Sequence, residues 1–334
     1  MRILFVAELS SHARAKQRLE ALRDLGYAVT EISTVSEQGD RPSLIQRLRW
    51  KLGYPADLVK LRQTLPELAQ EFAPDLIWIE KVLTLPPSTY HQLRQILPQV
   101  KIIFYSEDDI FLRHNRSVYL KRSLPLFDLV FTTKPRNLEE LPKLGAQKVF
   151  CIYQAYDRYL HTPPPTPPQW QADVSFVGSF ERDRAQSMLY LAKQGIKVKI
   201  WGSEWHRWRN SHPNLDIQYQ AIYGSEFVAA IWTSKINLNF LRQLNRDRHT
   251  SRSLEIPACS GFMLTERTDE HQALFIEGKE AEFFASPAEL LAKTKYYLAN
   301  DSLREAIAQA GRSRCVTSGY SHHDRLQVML AQLS

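Results

Sequence analysis

Short apolar runs alternate with amphipathic stretches from the first residues onward, and this alternation restricts the fold more than any other feature. Residues 2–7, Arg2-Ile3-Leu4-Phe5-Val6-Ala7, read as a buried strand. Residues 14–25 carry helical periodicity that stops at Gly26, and 27–34 read as a second strand. A β–α–β opening of this kind implies a parallel sheet with crossover helices. Further strands are predicted at 75–80, 100–105, 127–133 and 148–152, with a helix at 88–97, so six strands are complete by residue 152. The turn after the first strand is Glu8-Leu9-Ser10-Ser11-His12 and lacks GxGxxG, which removes the main support for a dinucleotide-binding dehydrogenase.

The composition then changes. His161-Thr162-Pro163-Pro164-Pro165-Thr166-Pro167-Pro168 is a stiff tract that cannot join a sheet. Beyond it the alternation restarts, with strands predicted at 173–178, 198–201, 215–219, 235–240 and 262–265. Helices are predicted at 182–194, 224–232, 287–299, 301–312 and 321–333. A chain of 334 residues fits two domains of about 150 residues each. The expected division is 1–160 as an acceptor-binding domain, 161–171 as a linker, 172–318 as a second domain, and 319–334 as a C-terminal helix returning to the first. Ligands of open parallel sheets sit beyond the carboxyl ends of the strands, so both domains are expected to point their loops into a shared cleft.

No apolar run approaches the roughly 20 residues of a membrane span, and the first run ends at Glu8, too early for a secretion signal. Cys151, Cys259 and Cys315 are far apart and show no CxxC spacing; this fits a reducing cytoplasm and gives no metal-site signature. The formal net charge of +7 favours anionic partners. Residues 41–70 are expected to be helical and basic, broken near Gly53 and Pro55, with Arg41, Arg47, Arg49, Lys51, Lys60 and Arg62 around Ile45, Leu48, Trp50, Leu52 and Leu58. A solvated basic face fits this pattern, and so does a peripheral contact with an anionic membrane through 41–64.

The stretch 246–261 carries the most chemistry. Arg246-Asp247-Arg248-His249-Thr250-Ser251-Arg252-Ser253 runs into Leu254-Glu255-Ile256-Pro257-Ala258-Cys259-Ser260-Gly261. Thr250, Ser251 and Ser253 suit a helix N-cap, Gly261 suits the stop, and Pro257 keeps the helix short or kinked. Exposed N–H groups beside Arg248, His249 and Arg252 would form an anion site. Glu255, so close to an anion, needs another partner, and sugar or ribose hydroxyls would suit it.

Together, Phe176-Val177-Gly178-Ser179, Arg182 or Arg184, the 252–259 segment and Gly278-Lys279-Glu280-Ala281-Glu282-Phe283-Phe284 resemble the C-terminal half of a GT-B glycosyltransferase. The similarity is to the CgeB-like, group 1 type and covers about residues 173–330. The resemblance implies two Rossmann-like domains with parallel sheets facing a cleft. It also implies a nucleotide-diphosphate-sugar co-substrate, no permanently bound cofactor and no metal. The diphosphate would be held by Gly178, Ser179, Arg182, Arg184, Arg248, His249, Thr250, Ser251 and Arg252, and the ribose by Glu255. Asp247 stands where many relatives carry a glutamate that approaches the donor sugar.

Tyr105-Ser106-Glu107-Asp108-Asp109 follows a strand of the first domain directly. An inverting transfer needs a base at the acceptor hydroxyl, and Asp108 or Asp109 is the candidate, with His12 and Glu8 as rivals. The same carboxylates could instead cap the next helix. Trp201, Trp205, His206 and Trp208 could stack on a base or pack in the core. Cys259 reads as a small core residue, and His322-His323 as cap or surface residues. The function expected is metal-independent transfer of a sugar to an acceptor hydroxyl of a glycan, lipid-linked sugar or small molecule, in the cytoplasm or at the inner membrane face. The alternatives are a sugar-nucleotide 2-epimerase, an inactive relative, or a nucleic-acid-binding protein; no recognition helix supports the last, and no nucleic-acid partner is expected.

Overall fold

The computed structural model describes residues 1–36, 43–162 and 168–333. Residues 37–42, which include Arg41 of the basic segment, and 163–167 of the expected linker lie outside the described residues. The chain divides into two compact units. One comprises Met1–Tyr153, Gln243–Arg246 and His322–Ser334; the other comprises Gln154–Arg242 and Asp247–Ser321.

The first unit runs β1 (Arg2–Ala7), α1 (Arg14–Asp24), β2 (Ala28–Ser33), α2 (Leu44–Lys51), α3 (Leu61–Phe72), β3 (Leu76–Glu80) and α4 (Pro87–Ile96). It continues through β4 (Lys101–Ser106), α5 (Val118–Ser123), β5 (Leu129–Thr132), α6 (Asn137–Glu140) and β6 (Val149–Cys151). Ile3 to Ala7 are all fully buried, as expected of a strand covered on both faces of a parallel sheet. The six strands pair in parallel in the order β2-β1-β3-β4-β5-β6. The order reverses between β1 and β3, and the crevice beyond their carboxyl ends is where such a sheet takes a ligand.

The second unit runs β7 (Ala172–Val177), α7 (Arg182–Lys193), β8 (Val198–Trp201), β9 (Leu215–Ile217), α8 (Gly224–Thr233) and β10 (Ser234–Asn239). It continues through α9 (Arg252–Ala258), β11 (Met263–Glu266), α10 (Asp269–Leu274), β12 (Glu282–Phe284), α11 (Pro287–Leu298) and α12 (Asp301–Thr317). Its parallel sheet has the order β12-β11-β10-β7-β8-β9, with the reversal between β10 and β7. The strand β12 has no counterpart among the sequence expectations. Three residues are too few to show a period, and only pairing with β11 makes them a strand.

The last helix, α13 (His322–Leu330), belongs to the first unit, where Leu326, Met329 and Leu330 join the core formed by β1 and α1. His322 and His323 are buried, not surface residues as expected. Their Nε2 atoms meet Gln17 Oε1 at 3.1 Å and Asp24 Oδ2 at 3.1 Å on α1. Among the described residues no helix is long and apolar enough to cross a membrane.

Candidate functional site

The second unit gathers several motif residues at its strand reversal. β7 ends at Val177, and Gly178 and Ser179, half-buried and exposed, open the short loop to α7, whose N-cap residue Glu181 makes no side-chain cap. The loop is fixed from beneath. Trp205 Nε1 donates to the Gly178 carbonyl at 2.9 Å, and a Cβ on Gly202 would collide with that same oxygen, so only glycine fits there. Arg184 is buried under the loop, its Nη1 3.4 Å from the Ser179 carbonyl, and burial lowers its pKa. Arg184 therefore supports the loop, whereas Arg182, two residues earlier, is exposed. Trp201 and Trp205 are core residues, which settles their alternative readings in favour of packing.

Arg252 opens α9 and reaches in two directions. Its Nε lies 3.5 Å from the Val177 carbonyl at the end of β7, and its Nη1 pairs with Glu255. The guanidinium also covers the Phe227 ring at 3.9 Å. Glu255 is 2% exposed and Arg252 is half-buried, so the pair is enclosed on its carboxylate side and is not a fully solvated helix-surface bridge. The helix is short, as Pro257 requires, but it starts five residues before the proline, which sits in the last turn. The stop also differs from expectation: Ser260 takes the left-handed conformation. Gly261 is needed instead because a Cβ there would lie 2.6 Å from Ile231 Cγ2.

A polar network absent from the sequence expectations orients this start. Ser253 Oγ accepts from the Thr250 amide at 3.0 Å and from Asn239 Nδ2 at 3.2 Å, and lies 2.8 Å from His271 Nε2. His271 Nδ1 lies 2.7 Å from the Glu266 carbonyl, so the consistent assignment puts the proton on Nδ1 and leaves Nε2 to accept from Ser253. Burial holds His271 neutral, with its pKa pushed down to about 4. The remaining motif residues are dispersed. Arg248 is exposed and paired with Asp269 and Glu270, Asp247 and Ser251 are buried, and buried His249 Nε2 accepts from the Gln154 amide at 3.0 Å. Cys259 is fully buried, and burial pushes its thiol pKa up, away from nucleophilic use.

In the first unit a cavity of about 540 Å³ opens at the β1–β3 reversal, lined among others by Glu8, His12, Glu80, Lys81, Glu107 and Asp108. Its wall is an ion-pair network. Buried Arg18 donates to Glu80 at 3.0 Å and to Glu107 at 2.6 Å, and Arg14 donates to Glu107 at 2.8 Å. Burial alone would raise the Glu107 pKa, but Arg14 and Arg18 outweigh it and hold it well below the usual carboxylate range. Burial dominates at Glu80, whose pKa rises despite Arg18. Asp108 pairs with Lys81, which outweighs partial burial and lowers its pKa. Asp109 lies elsewhere. It is fully buried, its two oxygens are bound by Arg246, and Oδ1 accepts from the Phe111 amide at 3.1 Å. Its expected role as a base is withdrawn, because an enclosed, ion-paired carboxylate cannot reach a substrate proton. It does not cap the next helix either, since it closes a turn at Phe111 and the turn of helix at Arg113–Asn115 has no side-chain cap.

Residues 182–331 match the family model described as "Glycosyl transferase-like". No curated protein sequence matches the chain. Among solved structures, a sucrose-phosphate synthase from Thermosynechococcus elongatus is 15% identical with a TM-score of 0.69, covering 100% of this chain and 99% of that one. Anabaena Alr3699/HepE, in complex with UDP and glucose, is 12% identical with a TM-score of 0.65 over 100% and 99% of the two chains. An alpha-glucosyltransferase in complex with UDP is 11% identical with a TM-score of 0.70 over 99% of each. These likenesses establish the two-domain GT-B fold over the whole chain.

Proposed function

We propose that this chain, which has the GT-B fold and matches a glycosyl transferase-like family model over residues 182–331, is a glycosyltransferase that moves a sugar from a nucleotide-diphosphate-sugar to an acceptor hydroxyl. The observation that carries the reading is the Arg252–Glu255 pair, tied to the carboxyl end of β7 at the strand reversal of the second sheet. Glu255 takes the ribose hydroxyls. The Gly178–Ser179 loop, the first turn of α7 with Arg182, and Arg252 take the diphosphate, whose charge they balance without a metal ion. Uridine diphosphate is the first nucleotide to try, since HepE and the alpha-glucosyltransferase hold it.

The acceptor half of the reaction is assigned to the first unit's cavity. The acceptor oxygen bonds the anomeric carbon as the bond from that carbon to the diphosphate oxygen breaks. The diphosphate leaves with the electron pair, and the acceptor proton passes to His12. We assign the base to His12 and not to Asp108, because Lys81 lowers the basicity of Asp108 and suits it to orient the hydroxyl. Calorimetric titration of wild type and Glu255→Gln with uridine, guanosine and adenosine diphosphates and their glucose conjugates tests the donor site. At least one should bind wild type and weaken in the variant, and silence toward all of them refutes the reading.

A further inference from the structure

The chain's positive charge is concentrated in two segments of the first unit. Residues 43–62 and 110–127 hold nine Lys and Arg residues against one carboxylate, Asp57, a net charge of +8. The chain as a whole carries +7, so everything outside these segments is net −1. The two segments are neighbours. The Val118 amide donates to the Gly53 carbonyl at 2.8 Å, Arg113 lies 3.4 Å from the Lys51 carbonyl, and the Tyr54 and Tyr119 rings meet edge to face at 5.5 Å.

The same surface is apolar. The helix α2 buries none of its residues, although a capping box of Ser43 and Gln46 secures its start. Leu44, Ile45, Leu48 and Leu52 fall within about 100° of the helix circumference and are 59–81% exposed, flanked by Arg47, Arg49 and Lys51. These four aliphatic side chains lie together on one helix face and none of them joins a core of the first unit. Beside it lies a cavity of about 360 Å³ with mainly aliphatic and aromatic walls, including Trp50, Leu52, Phe111 and Val118, and with Arg113 and Arg116 among its polar members. Trp50 also lines the cavity that holds His12 and Asp108, so the apolar and polar cavities share a wall.

We propose that the acceptor is an amphiphile with an anionic head, drawn from an anionic lipid surface on which α2 rests. Its hydrocarbon chain lies in the apolar cavity against Trp50 and Leu52. Its negative charge meets Arg113 and Arg116, and its hydroxyl-bearing end reaches His12. The charge excess supplies long-range attraction to the surface, and the exposed leucines and isoleucine supply insertion. The inference rests on the transferase reading for the word acceptor, but the lipid and chain sites stand on the geometry of the first unit.

Three preparations test it: wild type, Ile45→Asp/Leu48→Asp on the exposed stripe, and Leu52→Asp in the cavity wall. Both variants change exposed side chains, so folding should survive. Wild type should co-sediment with vesicles of equal parts phosphatidylcholine and phosphatidylglycerol, fail to do so with phosphatidylcholine alone, and release with added salt. The double variant should lose about tenfold or more in partitioning, a step of about 1.4 kcal/mol. Calorimetry with dodecyl phosphate should show binding to wild type and a similar loss in Leu52→Asp. Equal binding to both vesicle types, or binding indifferent to the double variant, overturns the lipid surface. Dodecyl phosphate binding that Leu52→Asp leaves unchanged overturns the chain site. Nucleotide titrations on the same samples separate the two readings: uridine diphosphate binding without lipid or dodecyl phosphate binding refutes only the acceptor class. Lipid and dodecyl phosphate binding without any nucleotide binding refutes the acceptor assignment through the transferase reading itself.

Discussion

Arg246 grips Asp109 through both carboxylate oxygens across 137 residues of sequence, and with its second edge it grips Glu140, at 2.7 Å from Nη2 to Oε2. Asn245 Oδ1 accepts from the Asp109 amide at 3.0 Å beside it. A four-residue piece of the chain's second half, Gln243–Arg246, is thereby built into the first unit immediately before the motif that starts at Asp247. These contacts convert an apparent catalytic carboxylate into a structural one.

Arg246→Ala should destabilise the first unit by roughly 3 kcal/mol, because it strands a buried carboxylate. Arg246→Ala/Asp109→Asn should recover much of that loss, since the uncompensated charge goes too. Urea denaturation of the single and double variants measures both. A single variant as stable as wild type would show that the pair carries little of the fold.

His12→Gln should lower kcat by about 10²-fold or more with little change in stability, as loss of a general base does. Asp108→Asn should instead act mainly on KM for the acceptor. Steady-state kinetics with a working acceptor decide it: the opposite pattern, with kcat collapsing only in Asp108→Asn, transfers the base to Asp108.

Glu255→Gln should weaken nucleotide-sugar binding about tenfold or more, roughly 1.4 kcal/mol. Arg252→Lys should also weaken it, because a lysine cannot reproduce the two-edged contact with Glu255 and the Val177 carbonyl. If the chain were an epimerase of the same fold, epimer would form from the donor with no acceptor present, which product analysis by nuclear magnetic resonance would detect.

His271 gives the second unit an acid sensitivity. Its ordinary pKa is 6.5 and burial lowers it to about 4 in the fold. Between those values the unfolded chain holds the extra proton and the folded chain does not, so stability falls as the pH falls from 6.5 toward 4. The slope approaches roughly 1.4 kcal/mol per pH unit inside the window and vanishes above it. His271→Gln should flatten this part of the profile in thermal melts recorded at several pH values. Because His271 holds Ser253, the nucleotide affinity of folded wild type should hold through this interval and decline only as the pH nears 4.

Much of the architecture was legible from residue order. Both sheets announce themselves through strands such as Ile3 to Ala7, apolar throughout because helices cover both faces. Gly178 and the 252–259 segment could be proposed together as a phosphate site, because glycine, arginine and hydroxyl groups at strand ends suit an anion. The pattern also picked out 41–64 as basic and apolar at once. It could not rank Asp108 against Asp109, which are identical in chemistry and adjacent in sequence.

What the sequence determined by itself is whatever depends on neighbours along the chain: strand and helix periods, the proline tract, the short motif helix. What only the tertiary structure decided is the state of each ionisable side chain. Asp109 is silenced by Arg246, Asp108 is turned toward Lys81 and the cavity, and His322 and His323 are buried against α1. Arg252 is aimed at Glu255 and at the end of β7. The reason is physical: a charge inside a protein is governed by burial and by partners a few ångströms away, and folding brings those partners from anywhere in the chain.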